Sequence, residues 1–144
     1  MKSPDGKREC SIFCKHRRIA LRGRRTSTLY LENPRQIEVE QIEVDGCAIT
    51  EGPRCDWLVR VIDDKPIEEI FVELKGAGVS PAIIQLRESI TKLSVQKNTH
   101  QKRAVIVFTR NPMSGTDIQI QKVKFFKDFR ASLVMVKNNQ GIPL

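Results

Sequence analysis

Long hydrophobic runs, glycine-rich loops and aromatic residues are scarce in this sequence. No stretch reaches the roughly 18 consecutive apolar residues that a membrane span needs, and the basic N-terminal segment lacks the apolar core of a secretory signal. No glycine-rich phosphate loop and no Ser-His-Asp arrangement is visible, and aromatic residues do not alternate with basic ones as on a base-stacking surface. We therefore expect a soluble, cytoplasmic protein.

Cysteine is present at only four positions, and none of them forms a CxxC pair. Cys10, Cys14, Cys47 and Cys55 could together supply four zinc ligands, but their spacing is loose for such a site. In a reducing compartment we expect free thiols, with Cys47 and Cys55 as small buried side chains and Cys10 and Cys14 exposed. A zinc-stabilised interaction protein remains an alternative that metal analysis would separate.

Charge is distributed unevenly along the chain, whose formal net charge is +8. Residues 1–25 hold nine Lys/Arg and two acids, residues 26–73 hold four and twelve, and residues 74–144 hold twelve and three. Basic flanks can hold a polyanion, and a central acidic segment can hold a cation for phosphodiester chemistry. An unevenly charged, solvated surface is the simpler alternative.

Hydrophobic periodicity predicts an α/β fold with a mixed central β-sheet flanked by helices. Residues 1–25 are expected to be a basic, partly ordered arm, in which 12–25 would form a strand pair or a short helix, and residues 26–144 a single domain. A bulge is expected at Glu40-Gln41, and Ser80 is the expected N-cap of the first helix. The predicted strands are 28–31, 37–44, 56–62, 70–74, 104–108 and 133–136, and the predicted helices are 81–95 and 117–130.

The segment Glu73-Leu74-Lys75 is the strongest indication of a catalytic site in the sequence. In a strand, residues two apart share a face, so Glu73 and Lys75 project together at the end of an apolar segment. A hairpin turn near 63–66 would bring Asp56 beside them. Two carboxylates and a main-chain carbonyl suit Mg²⁺, and a lysine can orient or activate the attacking water. The simpler interpretation is the solvated face of an edge strand.

Asp56, followed by Glu73-x-Lys75 at the end of a hydrophobic strand, a glycine and an amphipathic helix, resembles the PD-(D/E)xK nuclease superfamily. The resemblance covers about residues 45–110 and implies a restriction-endonuclease-like fold and Mg²⁺- or Mn²⁺-dependent hydrolysis of nucleic acid, DNA before RNA. It implies Asp56, Glu73 and the Leu74 carbonyl as metal ligands, Lys75 as the catalytic lysine and Gln85 as a supporting polar residue. Asp45 is a further candidate ligand, or simply the first residue of an Asp-Gly turn.

Nucleic acid is the expected partner, and a homodimer or a partner subunit would suit cleavage of two strands. Two basic segments are candidate backbone-binding surfaces, although a self-repelling soluble arm would look the same. A non-catalytic binding module that keeps the nuclease fold is the alternative function. The candidate contact residues are Arg17, Arg18, Arg22, Arg24, Arg25, Lys97, Lys102 and Arg103.

Overall fold

The computed structural model describes residues 1–6, 8–23, 27–63, 65–74, 79–95, 101–110 and 114–144. Strands dominate the described residues, and two helices follow the longest strand. In chain order the elements are β1 (Ser11–Cys14), β2 (Arg18–Arg22), β3 (Thr28–Glu32), β4 (Glu38–Glu43), β5 (Trp57–Asp63), β6 (Lys65–Leu74), α1 (Val79–Leu93), β7 (Gln101–Phe108), α2 (Gly115–Phe129), β8 (Ala131–Lys137) and β9 (Gly141–Pro143).

The main sheet has six strands in the order β1-β4-β5-β6-β7-β8. Strands β4, β5 and β6 form an antiparallel meander, whereas β6, β7 and β8 are parallel. Helices α1 and α2 make the two crossovers between the parallel strands. Both crossovers step in the same direction across the sheet, and right-handed connections of that kind place both helices on one face.

The opposite face of the main sheet is covered by a second sheet rather than by a helix. Strands β2, β3 and β9 form this three-stranded sheet, in which β9 runs parallel to β3. Phe71 of β6 packs with α1 and α2, while its neighbour Val72 packs with β2 and β3, as strand alternation requires. The fold is therefore α/β with a mixed sheet, as expected, but its helices flank one face only.

Most predicted elements are present, and their local details differ. Strand β4 pairs with β5 without interruption, so the bulge expected at Glu40-Gln41 is wrong; the irregularity lies between Val61 and Ile62. Helix α1 begins at Val79, so Ser80, the expected N-cap, lies within the first turn of the helix instead of before it. Helix α2 is capped by the Ser114 hydroxyl, which accepts a hydrogen bond from the backbone N–H of Asp117 at 3.1 Å.

Residues 1–25, expected to form a partly ordered basic arm, contribute two strands to the fold. Strand β1 pairs with β4 at the edge of the main sheet, and β2 pairs with β3. Cys10 forms a disulfide with Cys47. The expectation of an exposed Cys10 thiol and a free Cys47 is therefore wrong, because this pairing depends on a contact between distant segments. Neither described helix has the length and hydropathy of a membrane-spanning segment.

Candidate active site

Asp56 lies directly before β5 and is bound to β6 through both its backbone and its side chain. Its N–H donates to the carbonyl oxygen of Val72 at 3.0 Å, which extends the ladder one residue beyond the Trp57–Val72 pair. Its carboxylate oxygen Oδ2 accepts the N–H of Leu74 at 2.8 Å. The carboxylate is therefore held at the C-terminal end of β6, next to Glu73.

Glu73 is a buried carboxylate in a central strand. Its side chain is 2% exposed, and β6 lies between β5 and β7. The interpretation of Glu73 as part of a solvated edge-strand face is therefore wrong. Burying a carboxylate costs free energy unless polar groups compensate for the lost hydration, so a buried glutamate at a strand end suggests a role other than packing.

Gln85 of α1 approaches Glu73 from the helical face of the sheet. When its amide is oriented to satisfy both neighbours, its nitrogen donates to Glu73 Oε2 at 2.8 Å and to the carbonyl oxygen of Pro81 at 3.2 Å. The expected supporting residue thus lies in contact with the expected ligand. One turn later, the buried hydroxyl of Ser89 accepts the N–H of Cys55 at 2.8 Å. Helix α1 therefore positions both the glutamate and the segment that carries Asp56.

Cys55 is a buried thiol beside the two carboxylates. Its pKa is raised from 9.0 to about 12, mainly by burial and to a smaller extent by the charges of Glu73 and Asp56, while its hydrogen bond with Ser89 opposes the change. The thiol is consequently neutral at physiological pH. It packs beside the two carboxylates and does not serve as a nucleophile or a metal ligand, because both of these roles need the thiolate.

The end of β2 and Gly23 after it pack against the same end of the sheet. The indole N–H of Trp57 donates to the carbonyl oxygen of Arg22 at 2.9 Å. A Cβ added to Gly23 would lie 2.8 Å from the Cβ of Leu74, so the backbone at Gly23 lies almost against β6. This contact brings exposed Arg22 to the end of the sheet where Asp56 and Glu73 lie.

Asp45 does not join the two carboxylates. Its backbone N–H is 3.5 Å from the carbonyl oxygen of Asp56, but its carboxylate is 2.7 Å from the guanidinium of Arg54. In the described residues, no three His, Cys, Asp or Glu side chains form a group suited to a metal ion. The described donors at the site are thus Asp56, Glu73 and the backbone of Leu74, a set of hard oxygen atoms whose chemistry fits Mg²⁺ better than zinc.

The predicted nucleic-acid residues separate into different environments. Arg17 and Arg18 are exposed, and Arg18 pairs with Glu32 at 2.9 Å. Arg18 precedes Arg22 by four residues, so it lies about 13 Å from Arg22 along the strand. Lys102 is 2% exposed, and Arg103 holds Glu68 with contacts of 2.7 and 3.1 Å. Buried Lys102 does not fit a surface contact role. Arg24, Arg25, Lys75 and Lys97 lie outside the described residues.

A row of charged side chains was missed by sequence reasoning because its members come from four strands. Glu40, Arg60, Glu69 and Lys102 lie opposite one another across β4, β5, β6 and β7. Arg60 contacts Glu40 at 3.4 Å and Glu69 at 3.3 Å, and Ser94 after α1 donates to Glu69 at 2.6 Å. Glu69 precedes Leu74 by five residues, so this row lies about 16 Å from the candidate site along β6.

Comparisons with known proteins identified no relative of this chain. No family model matches the sequence, and neither the curated proteins nor the solved structures contain a match.

Proposed function

We propose that this chain is a divalent-metal-dependent nuclease that hydrolyses nucleic-acid phosphodiester bonds, with DNA as the favoured substrate. The observation that carries the proposal is the pair of carboxylates at the end of β6. Glu73 is buried in a central strand, and the Asp56 carboxylate is fixed beside it by the N–H of Leu74. Packing alone does not call for two carboxylates there, and a hydrated divalent cation, which can in turn hold a phosphate oxygen, is the partner that such a pair binds.

In this proposal, Asp56, Glu73 and the Leu74 carbonyl would hold Mg²⁺ or Mn²⁺. A bound ion of this kind supplies Lewis-acid stabilisation of phosphate charge and a more acidic water. Glu73 keeps its orientation through Gln85, and Asp56 keeps its orientation through Leu74. Lys75 follows Leu74 in the sequence and lies outside the described residues; in this proposal its ammonium would orient the attacking water or stabilise the transition state.

The arrangement of strands and helices supports a restriction-endonuclease-like fold as part of the same proposal. An antiparallel meander, a crossover helix, a parallel strand, a second helix and a further parallel strand follow one another in β4 to β8. The C-terminal end of β6 is the place where the antiparallel part of the sheet meets the parallel part. Exposed Arg22 lies at this end and would contact the phosphate backbone there.

A non-catalytic nucleic-acid-binding module is the second candidate. It is favoured by the absence of a third acidic ligand among the described residues, since Asp45 pairs with Arg54. Such a module would bind DNA through its basic groups and would need no divalent ion. The cysteine-based zinc alternative gains no comparable support, because the disulfide removes Cys10 and Cys47 from a four-thiolate site.

A nuclease assay tests the proposal directly. Plasmid and single-stranded DNA would be incubated with Mg²⁺, Mn²⁺ or EDTA, comparing wild type with Lys75→Ala and Asp56→Ala. We expect metal-dependent cleavage that falls by about 100-fold or more in both variants. Lys92→Ala and Asp63→Ala, at exposed positions, are the matched controls and should retain cleavage. Retention of DNA in EDTA without any cleavage by the wild type would support the binding module instead.

A further inference from the structure

A polar cavity lies at the end of the parallel strands opposite the candidate active site. It has a volume of about 470 Å³, and its walls come from the start of β6, β7 and β8, the end of α2 and the residues of β9. That volume lies within the range of small-molecule sites. The residues that matter for its chemistry are Glu68, Lys102, Arg103, Phe126, Arg130 and Ser132.

The charges around this cavity leave a net positive lining. Glu68 is the acidic side chain in the lining, and Arg103 already holds it through its Nε and Nη2 atoms at 2.7 and 3.1 Å. The remaining cations are Lys102 and Arg130. Arg103 holds Glu68, and Arg60 holds Glu69, the carboxylate opposite Lys102, so both acids are paired before an anion enters the cavity.

Lys102 is unusual because it is both cationic and buried. Its side chain is 2% exposed, and its Nζ makes no hydrogen bond with any part of the chain that the structure describes. Burial lowers the pKa of Lys102, against the opposing effect of the Glu69 charge. A buried ammonium without hydrogen-bond acceptors is costly, so a bound anion that accepted from it would recover part of that cost.

The other side of the cavity is apolar and aromatic. Phe126 is 54% exposed, and the guanidinium of Arg130 lies 5.5 Å from the centre of its ring. An exposed ring beside a cation offers a stacking surface for a flat group attached to the anion. Ser132 adds a neutral hydrogen-bond donor within the same lining.

We infer that this cavity binds a phosphate monoester, with its phosphate between Lys102 and Arg130 and its organic group against Phe126. Inorganic phosphate and a nucleoside 5′-monophosphate share this chemistry, and the monophosphate makes use of both parts of the lining. The inference does not depend on the proposed nuclease site. Lys102 is opposite Glu69, about 16 Å along the sheet from Leu74.

Calorimetric titration of the intact chain, without divalent ions, tests the inference. The ligands would be inorganic phosphate, a nucleoside 5′-monophosphate and the same nucleoside without phosphate. We expect the monophosphate to bind about tenfold more tightly than phosphate, and the nucleoside alone not to bind measurably. No binding of either phosphate compound at millimolar concentration would overturn the inference, as would equal binding of the nucleoside.

Variants separate this cavity from the nuclease site. Lys102→Met and Arg130→Gln should each weaken phosphate binding by about tenfold, whereas Phe126→Leu should remove the preference for the monophosphate. Arg110→Gln, at an exposed position outside the lining, and Asp56→Ala should leave binding unchanged. Loss of binding in Asp56→Ala with retention in Lys102→Met would place the ligand at the other site and overturn the inference.

A measurement on the wild-type chain covers the case in which Lys102→Met does not fold. The side-chain resonances of Lys102 can be followed by NMR as a function of pH, with and without inorganic phosphate. Binding beside its ammonium should raise the pKa of Lys102 toward the ordinary lysine range, because the anion stabilises the charged form. An unchanged titration at saturating phosphate would overturn the inference.

Discussion

The carboxylate of Asp56 accepts the backbone N–H of Leu74 at 2.8 Å, while the N–H of Asp56 donates to the carbonyl oxygen of Val72. This pair of hydrogen bonds ties a residue outside β5 to the last residues of β6. It orients a charged group by means of the sheet itself, so the position of Asp56 depends on backbone pairing more than on side-chain packing. Accepting the N–H of Leu74 requires only an oxygen atom at position 56, whereas binding a metal ion requires the negative charge of Asp56.

Asp56→Asn and Asp56→Ala should therefore differ in stability but not in activity. The asparagine keeps an oxygen that can accept from Leu74, whereas alanine removes it and should lower the free energy of unfolding by about 1 kcal/mol more. Both lack the charge that a metal ligand needs, so cleavage should fall by about 100-fold in each. Urea unfolding and cleavage rates measure the two effects. A fully active Asp56→Asn would contradict the metal-ligand role.

Gln85 should act as a positioning residue for Glu73. Gln85→Leu removes the hydrogen bond to Glu73 Oε2, and we expect the Mg²⁺ concentration needed for half-maximal cleavage to rise by about tenfold. Cleavage at saturating Mg²⁺ should fall much less, which a general loss of folding would not produce. Gln119→Leu, on the exposed surface of α2, is the control. An unchanged metal dependence in Gln85→Leu would remove the positioning role.

Gly23 should tolerate no side chain. Gly23→Ala would place its Cβ 2.8 Å from the Cβ of Leu74, which cannot move without shifting β6. We expect a loss of about 1–3 kcal/mol in the free energy of unfolding. Gly115→Ala is the matched control, because a Cβ there meets no atom within 4 Å and alanine favours the helix. Equal stability of the two variants would contradict a tight contact between Gly23 and Leu74.

The Cys10–Cys47 disulfide should be a substantial source of stability, because it links residues 37 positions apart in the chain. Replacing both cysteines with alanine should lower the free energy of unfolding by about 2–4 kcal/mol, and a reductant should have a similar effect on the wild type. Cys14→Ala is the control, since Cys14 is a free cysteine. If reductant leaves the urea midpoint unchanged, the bond contributes little to the folded state.

Cys55 should make the folded state sensitive to alkaline pH. Its pKa is 9.0 ordinarily and about 12 in the fold, mainly because of burial. Between these values the unfolded chain releases a proton that the folded chain keeps, so the stabilisation present below pH 9.0 is lost as pH rises, by at most about 1.4 kcal/mol per pH unit. The difference in unfolding free energy between wild type and Cys55→Ala should show this slope. A constant difference would indicate an ionisable, accessible thiol.

Strand alternation explains which site features could be predicted. Glu73 lies at the end of an apolar strand, and the hairpin brings Asp56 next to it, so the pair of carboxylates follows from local patterns. The same alternation also indicates that Lys102 is buried. Lys102 is in phase with buried Ala104 and Ile106, which points it into the helical face rather than to the surface.

Other features depend on which distant segments meet. Glu73 is buried because β7 pairs with β6, and nothing in its own segment distinguishes a central strand from an edge strand. The Asp45 carboxylate contacts Arg54, nine residues later, and this pairing follows from the folded loop rather than from the Asp-Gly turn signal. The first 25 residues looked like a basic arm, since charge alone does not reveal that β1 and β2 find partners in β4 and β3.

The sequence by itself determined the strands of the hairpin, both helices and the alternating faces of β6, because these depend on short-range backbone sterics and on hydrophobic period. Only the tertiary structure decided that a second sheet covers one face, that Cys10 bonds Cys47, and that Gly23 lies against Leu74. These features arise from contacts between segments far apart in the chain. Their free energy depends on the whole packed arrangement, which no local pattern encodes.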